Sequence, residues 1–122
     1  MLPEIKEADR QRVLDTDDAG LRRYTHEHLK VFAKFTSDNC ATCELLAPPF
    51  AKFSDDELFR SILFLRLASE ENPVALKLMQ DKVAPFFVSY CQGQLLECDS
   101  LTTEAEVYDM LQRLRHFRPL TN

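Results

Sequence analysis

The sequence predicts an α/β fold, with a mixed central sheet of four to five strands and helices on both faces. Two observations indicate this fold. Apolar runs of strand length alternate with capped segments of helical character through most of the chain, as in parallel β-α-β units. Near the C-terminal end, two further apolar runs flank Gln92-Gly93, a dipeptide typical of a tight antiparallel hairpin.

The whole chain, 1–122, is expected to form a single domain. Its length of 122 residues is close to the commonest domain size, and 45% hydrophobic and 29% charged residues are average for a globular protein. Residues 1–12 are interpreted as an N-terminal extension. Leu2, Ile5 and Ala8 are spaced three apart behind Pro3, which is compatible with a short helix in this extension.

The first half of the chain is expected to form two strands, each followed by a helix. Val13 and Leu14 indicate a short strand, and the N-cap formers at 15–18 indicate a short helix after it. The run 29–36 is rich in β-branched and aromatic residues and is apolar on both faces apart from its lysines. It is therefore interpreted as a central strand. A second helix is expected to begin near Cys40, after a polar capping segment.

Two features modify the interpretation of the helix that follows Cys40. The dipeptide Pro48-Pro49 is expected to kink or divide it, because proline lacks the N–H that an interior helical turn requires. Residues 54–57 have the Ser-x-x-Glu pattern of a capping box. A further short helix is therefore expected to start at Ser54.

The second half of the chain is expected to contain three strands and two helices. The short apolar run 62–67 predicts a buried strand, and Asn72 followed by Pro73 predicts the start of a helix. Runs 86–91 and 94–98 predict the two strands of the hairpin. A second capping box at 103–106 predicts a C-terminal helix, which presents an apolar stripe to the sheet, formed by Val107, Leu111, Leu114 and Phe117.

Charge and hydropathy exclude several classes of partner. The formal net charge of −5 removes the general attraction to phosphate on which non-specific binding of nucleic acids and anionic membranes depends. No window approaches the roughly 18 consecutive apolar residues of a membrane-spanning helix, and residues 1–12 lack the apolar stretch of a secretory signal. We therefore expect no nucleic-acid partner, no membrane association and a cytoplasmic location.

Cys40 and Cys43 form a Cys-x-x-Cys pair at the predicted strand-to-helix junction. At a helix start, free N–H groups and the positive end of the helix dipole favour a thiolate, so Cys40 is expected to be the attacking thiol. Cys43 lies most of a turn further in and is expected to resolve the mixed disulfide that Cys40 forms. The alternative is half of a zinc site. A redox role without a metal is favoured, because zinc sites with this signature usually repeat the close cysteine pair.

The other two cysteines, Cys91 and Cys98, lie on either side of the predicted turn. With a two-residue turn, Cys91 pairs with Gln94 and Cys98 lies opposite Phe87, four residues along the strand from Cys91. That separation is roughly 13 Å, well beyond the ~7 Å within which a disulfide forms. We therefore expect no bridge between these two cysteines.

Six features follow one another along the chain: a strand ending at Phe35, Cys40-Ala41-Thr42-Cys43, Pro48, Asn72-Pro73, Ala84-Pro85-Phe86 and Gly93. Together, over about 13–117, they resemble the thioredoxin superfamily. The resemblance implies a thioredoxin-like fold in which Pro85 is a cis proline beside the cysteine pair. It also implies that the backbone of Ala84 pairs with an incoming polypeptide.

The sequence departs from the usual thioredoxin pattern in and before the cysteine pair. Thioredoxins usually carry Trp-Cys-Gly-Pro-Cys, whereas this chain has Asn39-Cys40-Ala41-Thr42-Cys43 and no tryptophan. The buried aspartate that they carry six residues before the first cysteine is replaced by Lys34. A lysine near the pair would favour a thiolate, which makes Lys34 a candidate modulator of the cysteine pKa. The alternative is a side chain that extends its ammonium group into water.

The cysteine pair and the resemblance together imply a thiol-disulfide oxidoreductase. In this interpretation the Cys40/Cys43 dithiol reduces a disulfide of a client protein, and a reductase or a low-molecular-weight thiol restores the dithiol. No organic cofactor is required. The alternative is a thioredoxin-fold interaction module with little or no redox turnover, because Lys34 and the missing tryptophans depart from the family pattern.

Overall fold

A computed structural model describes residues 12–119, and the expected extension at 1–12, with its short helix, lies almost entirely outside them. Within the described residues the elements follow the predicted order. The strands are β1 (Val13–Asp15), β2 (Lys30–Thr36), β3 (Ile62–Ala68), β4 (Phe86–Cys91) and β5 (Gln94–Ser100). The helices are α1 (Asp18–Glu27), α2 (Ala41–Ser54), α3 (Pro73–Met79) and α4 (Glu104–His116), with short 3-10 turns at Glu57–Phe59 and Ser69–Glu71.

The five strands form one mixed sheet in the order β1-β3-β2-β4-β5. The pairs β1–β3 and β2–β3 are parallel, whereas β2–β4 and β4–β5 are antiparallel. Strand β2 is therefore central, with Phe32 opposite Phe64 on one side and Ser89 on the other. The predicted mixed sheet and the central position of β2 are both confirmed.

Each face of the sheet packs against its own pair of helices. Because side chains alternate along a strand, Phe32 points to one face and its neighbour Val31 to the other. The face under α2 and α4 packs an aromatic-rich cluster, which includes Phe32, Phe50, Phe53, Phe64, Phe87 and Leu111. The opposite face, under α1 and α3, packs a second cluster, which includes Leu21, Val31, Phe35, Leu65, Ala75 and Phe86. The prediction of helices on both faces is confirmed.

Helix α2 is a single element from Ala41 to Ser54, so the expected division at Pro48 and Pro49 does not occur. Proline at these positions removes the donors to the carbonyls of Glu44 and Leu45, and both of these residues are exposed. Water can replace the missing donors there, which explains why an exposed turn accommodates two prolines.

The capping box expected at 54–57 is absent from the structure. Ser54 is the last residue of α2, it is buried, and its Oγ donates to the Ala51 carbonyl oxygen at 2.6 Å. The following 3-10 turn is capped by Asp56, whose Oδ1 accepts from the N–H of Leu58 at 2.9 Å. The expectation that a helix starts at Ser54 is therefore wrong, because the serine hydroxyl is already engaged with its own helix.

Helices α1 and α3 are joined by a cap that crosses between them. Asp17 caps α1 by accepting from the Gly20 N–H at 2.8 Å, whereas the next residue, Asp18, accepts from the N–H groups of Val74 and Ala75 at 2.8 and 3.1 Å. Asn72 occupies the predicted N-cap position of α3 but makes no side-chain cap bond. The carboxylate of α1 thus supplies the cap of α3.

The predicted hairpin is confirmed, with a correction to its register. Gln92 and Gly93 both have positive φ angles, 53° and 78°, as the favoured two-residue hairpin turn requires. Cys91 pairs with Gln94 as expected. A register shift between Ser89 and Tyr90 places Cys98 opposite Val88 rather than Phe87. The predicted pairing of Cys98 with Phe87 is therefore wrong, because the bulge adds one residue to the pairing.

No α-helix in the part of the chain that the structure describes has the length and apolar character needed to cross a bilayer.

Candidate functional site

The site lies where the central strand passes into α2. After β2, the chain turns through Asn39, whose φ of 54° is in the left-handed region that asparagine tolerates. Cys40 is the N-cap residue of α2, and Cys43 lies in its first turn. The two cysteines form a disulfide with their Cα atoms 5.2 Å apart. The fold thus brings the pair together at a helix N-terminus.

The two sulfurs differ in exposure and in their neighbours. Cys40 is half-buried, whereas Cys43 is buried at 6% exposure. The Cys40 Sγ accepts from the backbone N–H of Cys43 at 3.1 Å. Such a first-turn N–H and the positive end of the helix dipole stabilise negative charge on an N-cap atom. Cys40 is consequently the sulfur that combines access with support for a thiolate.

Ala84 and Pro85 lie against the cysteine pair. The Ala84-Pro85 peptide bond is cis, which confirms the expectation from the resemblance. The Ala84 carbonyl oxygen is 3.6 Å from the Cys40 Sγ. Within residues 12–119, the Ala84 N–H has no hydrogen-bond acceptor. The structure therefore places a backbone segment with an unused donor beside the more exposed sulfur.

A shallow groove surrounds Cys40 on the side of the Ala84 segment. Apolar side chains of α3 and the loop after it contribute Leu76, Met79 and Val83, of which Leu76 is 47% and Val83 is 70% exposed. Polar residues Asn39, Thr42 and Glu70 line the remaining side. Exposed aliphatic groups therefore lie beside the more accessible sulfur of the pair.

Lys34 lies inside the protein beside the pair. Its side chain is 1% exposed, and its Nζ donates to the carbonyl oxygen of Cys43 at 2.8 Å. The same Nζ lies 5.5 Å from the centre of the Phe50 ring, which adds a cation–π contact. The interpretation that Lys34 extends into water is therefore wrong. The Lys34 side chain leaves β2 on the face of the sheet that packs against α2, and that helix covers it.

The surroundings of Lys34 weaken its hold on a proton. Burial is the main cause and the nearby guanidinium of Arg66 the second, and together they lower the pKa of Lys34 to about 8. Arg66 is itself held by Asp15, with hydrogen bonds of 2.6 and 3.1 Å to the two carboxylate oxygens. Lys34 is therefore mostly charged at neutral pH but gives up its proton more readily than an exposed lysine.

A second cavity lies on the Lys34 side of the disulfide. Its lining includes both cysteines, Lys34 and Arg66, with the exposed carboxylates of Asp38 and Glu44 at its rim. Sequence reasoning missed Arg66. The sequence feature that could have identified it is a single arginine inside the otherwise apolar run 62–67, because a charged residue in a buried strand requires a partner.

The remaining cysteines stand apart from this site. Cys91 is buried, pairs with Lys30 at the opposite end of β2, and is a free thiol. Burial raises the pKa of Cys91, with the Lys30 charge opposing that rise. Cys98 is an exposed free thiol on the edge strand β5. Within residues 12–119, no group of three or more His, Cys, Asp or Glu side chains is arranged to hold a metal ion.

Neither a known family model nor a curated protein matches the sequence. Solved structures do match the fold. Thioredoxin of Malassezia sympodialis superposes with a TM-score of 0.78 at 18% identity, covering 87% of this chain and 93% of that one. A mutant thioredoxin of Halobacterium salinarum gives 0.75 at 18% identity, covering 90% and 96%. Thioredoxin F of spinach chloroplast gives 0.76 at 17% identity, covering 93% and 99%.

These similarities establish that the chain has the thioredoxin fold over most of its length. The Cys40–Cys43 pair lies at disulfide distance within that fold, as expected of a thioredoxin-like Cys-x-x-Cys motif. At 14–18% identity the similarities show the fold alone, so the activity has to be argued from the site itself.

Proposed function

We propose that this chain is a thiol-disulfide oxidoreductase that reduces disulfide bonds of client proteins. The observation that carries the proposal is the Cys40–Cys43 disulfide at the N-terminus of α2, with Cys40 open to a groove and Cys43 covered. Two sulfurs in this arrangement can alternate between a dithiol and a disulfide without any organic cofactor.

The reaction consists of two thiol-disulfide exchanges. The Cys40 thiolate attacks one sulfur of the client disulfide, the client S–S bond breaks, and the released client thiolate takes a proton from water. The Cys43 thiol then loses its proton and attacks the Cys40 Sγ. The second client sulfur leaves as a thiolate, and the Cys40–Cys43 disulfide forms. Two electrons have passed from the protein to the client.

Cys40 is the attacking sulfur because it alone of the pair is both accessible and supported. Cys43 is 6% exposed, and a client sulfur would have to displace the helix to reach it. Cys40 faces the groove and accepts a first-turn N–H at 3.1 Å, which favours its thiolate. The order of attack follows from this difference.

Ala84 and the groove account for client binding. An extended client segment can place its carbonyl oxygen on the unused N–H of Ala84, which fixes the client backbone beside Cys40. Apolar client side chains then pack on Leu76 and Val83. The cis peptide at Pro85 belongs to the segment that presents this backbone. Ala84 and Pro85 therefore act as the client-binding segment.

The oxidised pair needs an electron donor before the next cycle. A reductase protein or a low-molecular-weight thiol can supply two electrons by the reverse pair of exchanges. Such donors keep thiols reduced in the cytoplasm, which is the compartment we assign to this reaction.

Reduction of insulin disulfides by dithiothreitol tests the proposal. The wild-type protein should accelerate precipitation of the insulin B chain, and Cys40→Ser should abolish the acceleration. Cys98→Ser is the matched control, because it removes an exposed thiol outside the site and should leave the rate unchanged. No acceleration by the wild-type protein would contradict the proposal, and it would favour the interaction module if the protein still bound clients reversibly.

A further inference from the structure

Lys34 is a buried cation that shares its cavity with a second cation, Arg66. The Lys34 side chain is 1% exposed, and its ammonium carries three N–H donors. One of them meets the carbonyl oxygen of Cys43 at 2.8 Å, and the face of Phe50 lies 5.5 Å away. A carbonyl and a ring are weak compensation for a buried charge. The disulfide that shares its cavity is neutral, and among residues 12–119 no carboxylate forms an ion pair with the ammonium.

The charged groups around Lys34 come from several elements. Arg66 on β3 is the register partner of Lys34. The carboxylates of Asp38 in the loop and Glu44 on α2 line the cavity, and the carboxylate of Asp15 on β1 binds Arg66. All three carboxylates are exposed, and Asp15 is engaged with Arg66. Water screens exposed charges far more than buried ones. Of the charged side chains that line this cavity, Lys34 is the most deeply buried, so water screens its charge least.

We propose that the Lys34 ammonium stabilises the negative charge that appears on the Cys40/Cys43 pair when the disulfide is reduced. Lys34 acts through the cysteine pair and is therefore a positioning residue. Because it stabilises the reduced form, it makes the pair a stronger oxidant than the N-terminus of α2 would make it alone. The inference rests on the proposed dithiol-disulfide cycle. Lys34 is also the group through which the potential of the pair senses pH.

The step balances with a low-molecular-weight thiol such as glutathione as the donor. Two glutathione molecules give up two electrons and become glutathione disulfide, while the Cys40–Cys43 bond breaks. One protein sulfur takes a proton, and the other stays as a thiolate whose charge faces the ammonium of Lys34. The second proton released by glutathione goes to solvent. Oxidation reverses each transfer and removes the thiolate charge from the surroundings of Lys34.

The coupling is reciprocal. If the ammonium favours the thiolate, the thiolate must hold the proton on Lys34 to the same extent. Burial and Arg66 lower the pKa of Lys34 to about 8 in the oxidised protein, so its charge begins to be lost just above neutral pH. Reduction should shift that loss to higher pH. The contribution of Lys34 to the potential is therefore largest near neutral pH and fades as the pH rises well above 8.

Equilibration in glutathione buffers tests the inference, with the oxidised fraction measured by the mass that alkylation adds to the protein. Lys34→Met keeps the length of the side chain and removes its charge. Lys30→Met is the matched control: Lys30 lies on the same face of β2 and is also buried, but its Nζ donates to the carbonyls of Arg115 and Phe117 at 2.8 Å each. At pH 7, Lys34→Met should be harder to reduce than wild type by about tenfold in equilibrium constant, equivalent to one pKa unit of coupling. Lys30→Met should match wild type.

Equal equilibrium constants for wild type and Lys34→Met at pH 7 would overturn the inference and leave the proposed exchange activity intact. Equal displacement by both lysine variants would also overturn it, since the effect would then belong to general destabilisation. Absence of any dithiol-disulfide transition in the wild-type protein would instead contradict the proposed function itself.

A measurement without mutation covers the case in which Lys34→Met does not fold. In wild-type protein labelled with ¹³C at the lysine ε carbon, the Lys34 resonance should titrate at higher pH in the reduced state than in the oxidised state. The same titration midpoint in both states would contradict the proposed coupling.

Discussion

Lys34 of β2 and Arg66 of β3 are register partners on adjacent parallel strands, so that two cations lie side by side in the sheet. Like charges opposite each other are unfavourable. The two cations have different partners. Arg66 binds the exposed carboxylate of Asp15. Lys34 is covered by α2, and its one hydrogen bond within residues 12–119 is to the Cys43 carbonyl oxygen. This arrangement makes the charged form of Lys34 energetically costly in the folded protein.

That cost should appear as a dependence of stability on pH. Lys34 holds its proton to about pH 8 in the folded protein and to its ordinary pKa of 10.5 in the unfolded chain. Between these values the unfolded chain binds more protons, so the free energy of unfolding rises with pH. We expect oxidised wild type to gain about 2 kcal/mol relative to oxidised Lys34→Met between pH 7 and pH 10.

Urea unfolding at both pH values measures this difference. Burial also raises the pKa of Tyr90 to about 12, which opposes stability at high pH, but that contribution is common to both proteins and cancels in the comparison. A difference between the two proteins that stayed constant with pH would show that Lys34 keeps its charge when folded.

The roles of the two cysteines should differ when each is replaced. In Cys43→Ser the first exchange occurs but the second cannot, so Cys40 should remain joined to clients as mixed disulfides that survive a non-reducing gel. Cys40→Ser should trap almost none, because Cys43 is only 6% exposed. Mass spectrometry of the trapped species should place the bond on Cys40.

The trapping experiment has its own internal controls. Adducts at Cys98, the exposed free thiol, would indicate non-specific oxidation, and Cys98→Ser in the same background should leave trapping unchanged. Equal trapping by Cys40→Ser and Cys43→Ser would reverse the assignment of the attacking sulfur.

The sequence predicted the strands and the order of elements because each strand is a short apolar run with a turn signal beside it. The sequence could not predict the exact register of the hairpin strands or the cap that one helix supplies to another. The bulge between Ser89 and Tyr90, which moves Cys98 to face Val88, has no signature of its own in the sequence. Asp18 looked like one of several N-cap residues for α1, and its actual role depends on α3 packing alongside.

The site was predictable for the residues that carry a motif and not for those that depend on packing. Cys40, Cys43 and Pro85 belong to short patterns that can be read along the chain. From the sequence, Lys34 could be placed near the cysteine pair but not inside the protein, because a lysine in a strand usually extends its ammonium group into water. Its burial follows from α2 lying over that face of the sheet, which no local sequence pattern reports.

Replacement of Asp18 should loosen α3. Its carboxylate accepts from the N–H groups of Val74 and Ala75, so Asp18→Ala leaves two first-turn donors of α3 without their cap. We expect a loss of about 1–2 kcal/mol in the free energy of unfolding, measured by urea denaturation. Asp18→Asn retains one side-chain oxygen and should recover part of that loss. Full stability of Asp18→Ala would show that the bridging cap contributes nothing.

Replacement of Lys30 should destabilise the end of α4. The buried Nζ donates to the carbonyl oxygens of Arg115 and Phe117, which have no helical donor beyond the C-terminus. Lys30→Met should lower the free energy of unfolding by about 1–3 kcal/mol. Hydrogen exchange should accelerate in the last turn of α4 more than in its first turn, which the Thr103 capping box holds. Uniform acceleration along α4 would contradict a local role.

The position of β2 between β3 and β4 also has a consequence for how the protein is made. Lys30 pairs with Ile62 on one side and with Cys91 on the other, so the central strand acquires its second neighbour only after translation has passed Cys91. Both cysteines of the pair emerge from the ribosome well before that strand and before the Ala84-Pro85 segment beside them. A product truncated before Ala84 would carry both cysteines without the backbone segment that lies beside Cys40 in the complete fold. The surroundings of the cysteine pair are therefore complete only once synthesis has passed β4.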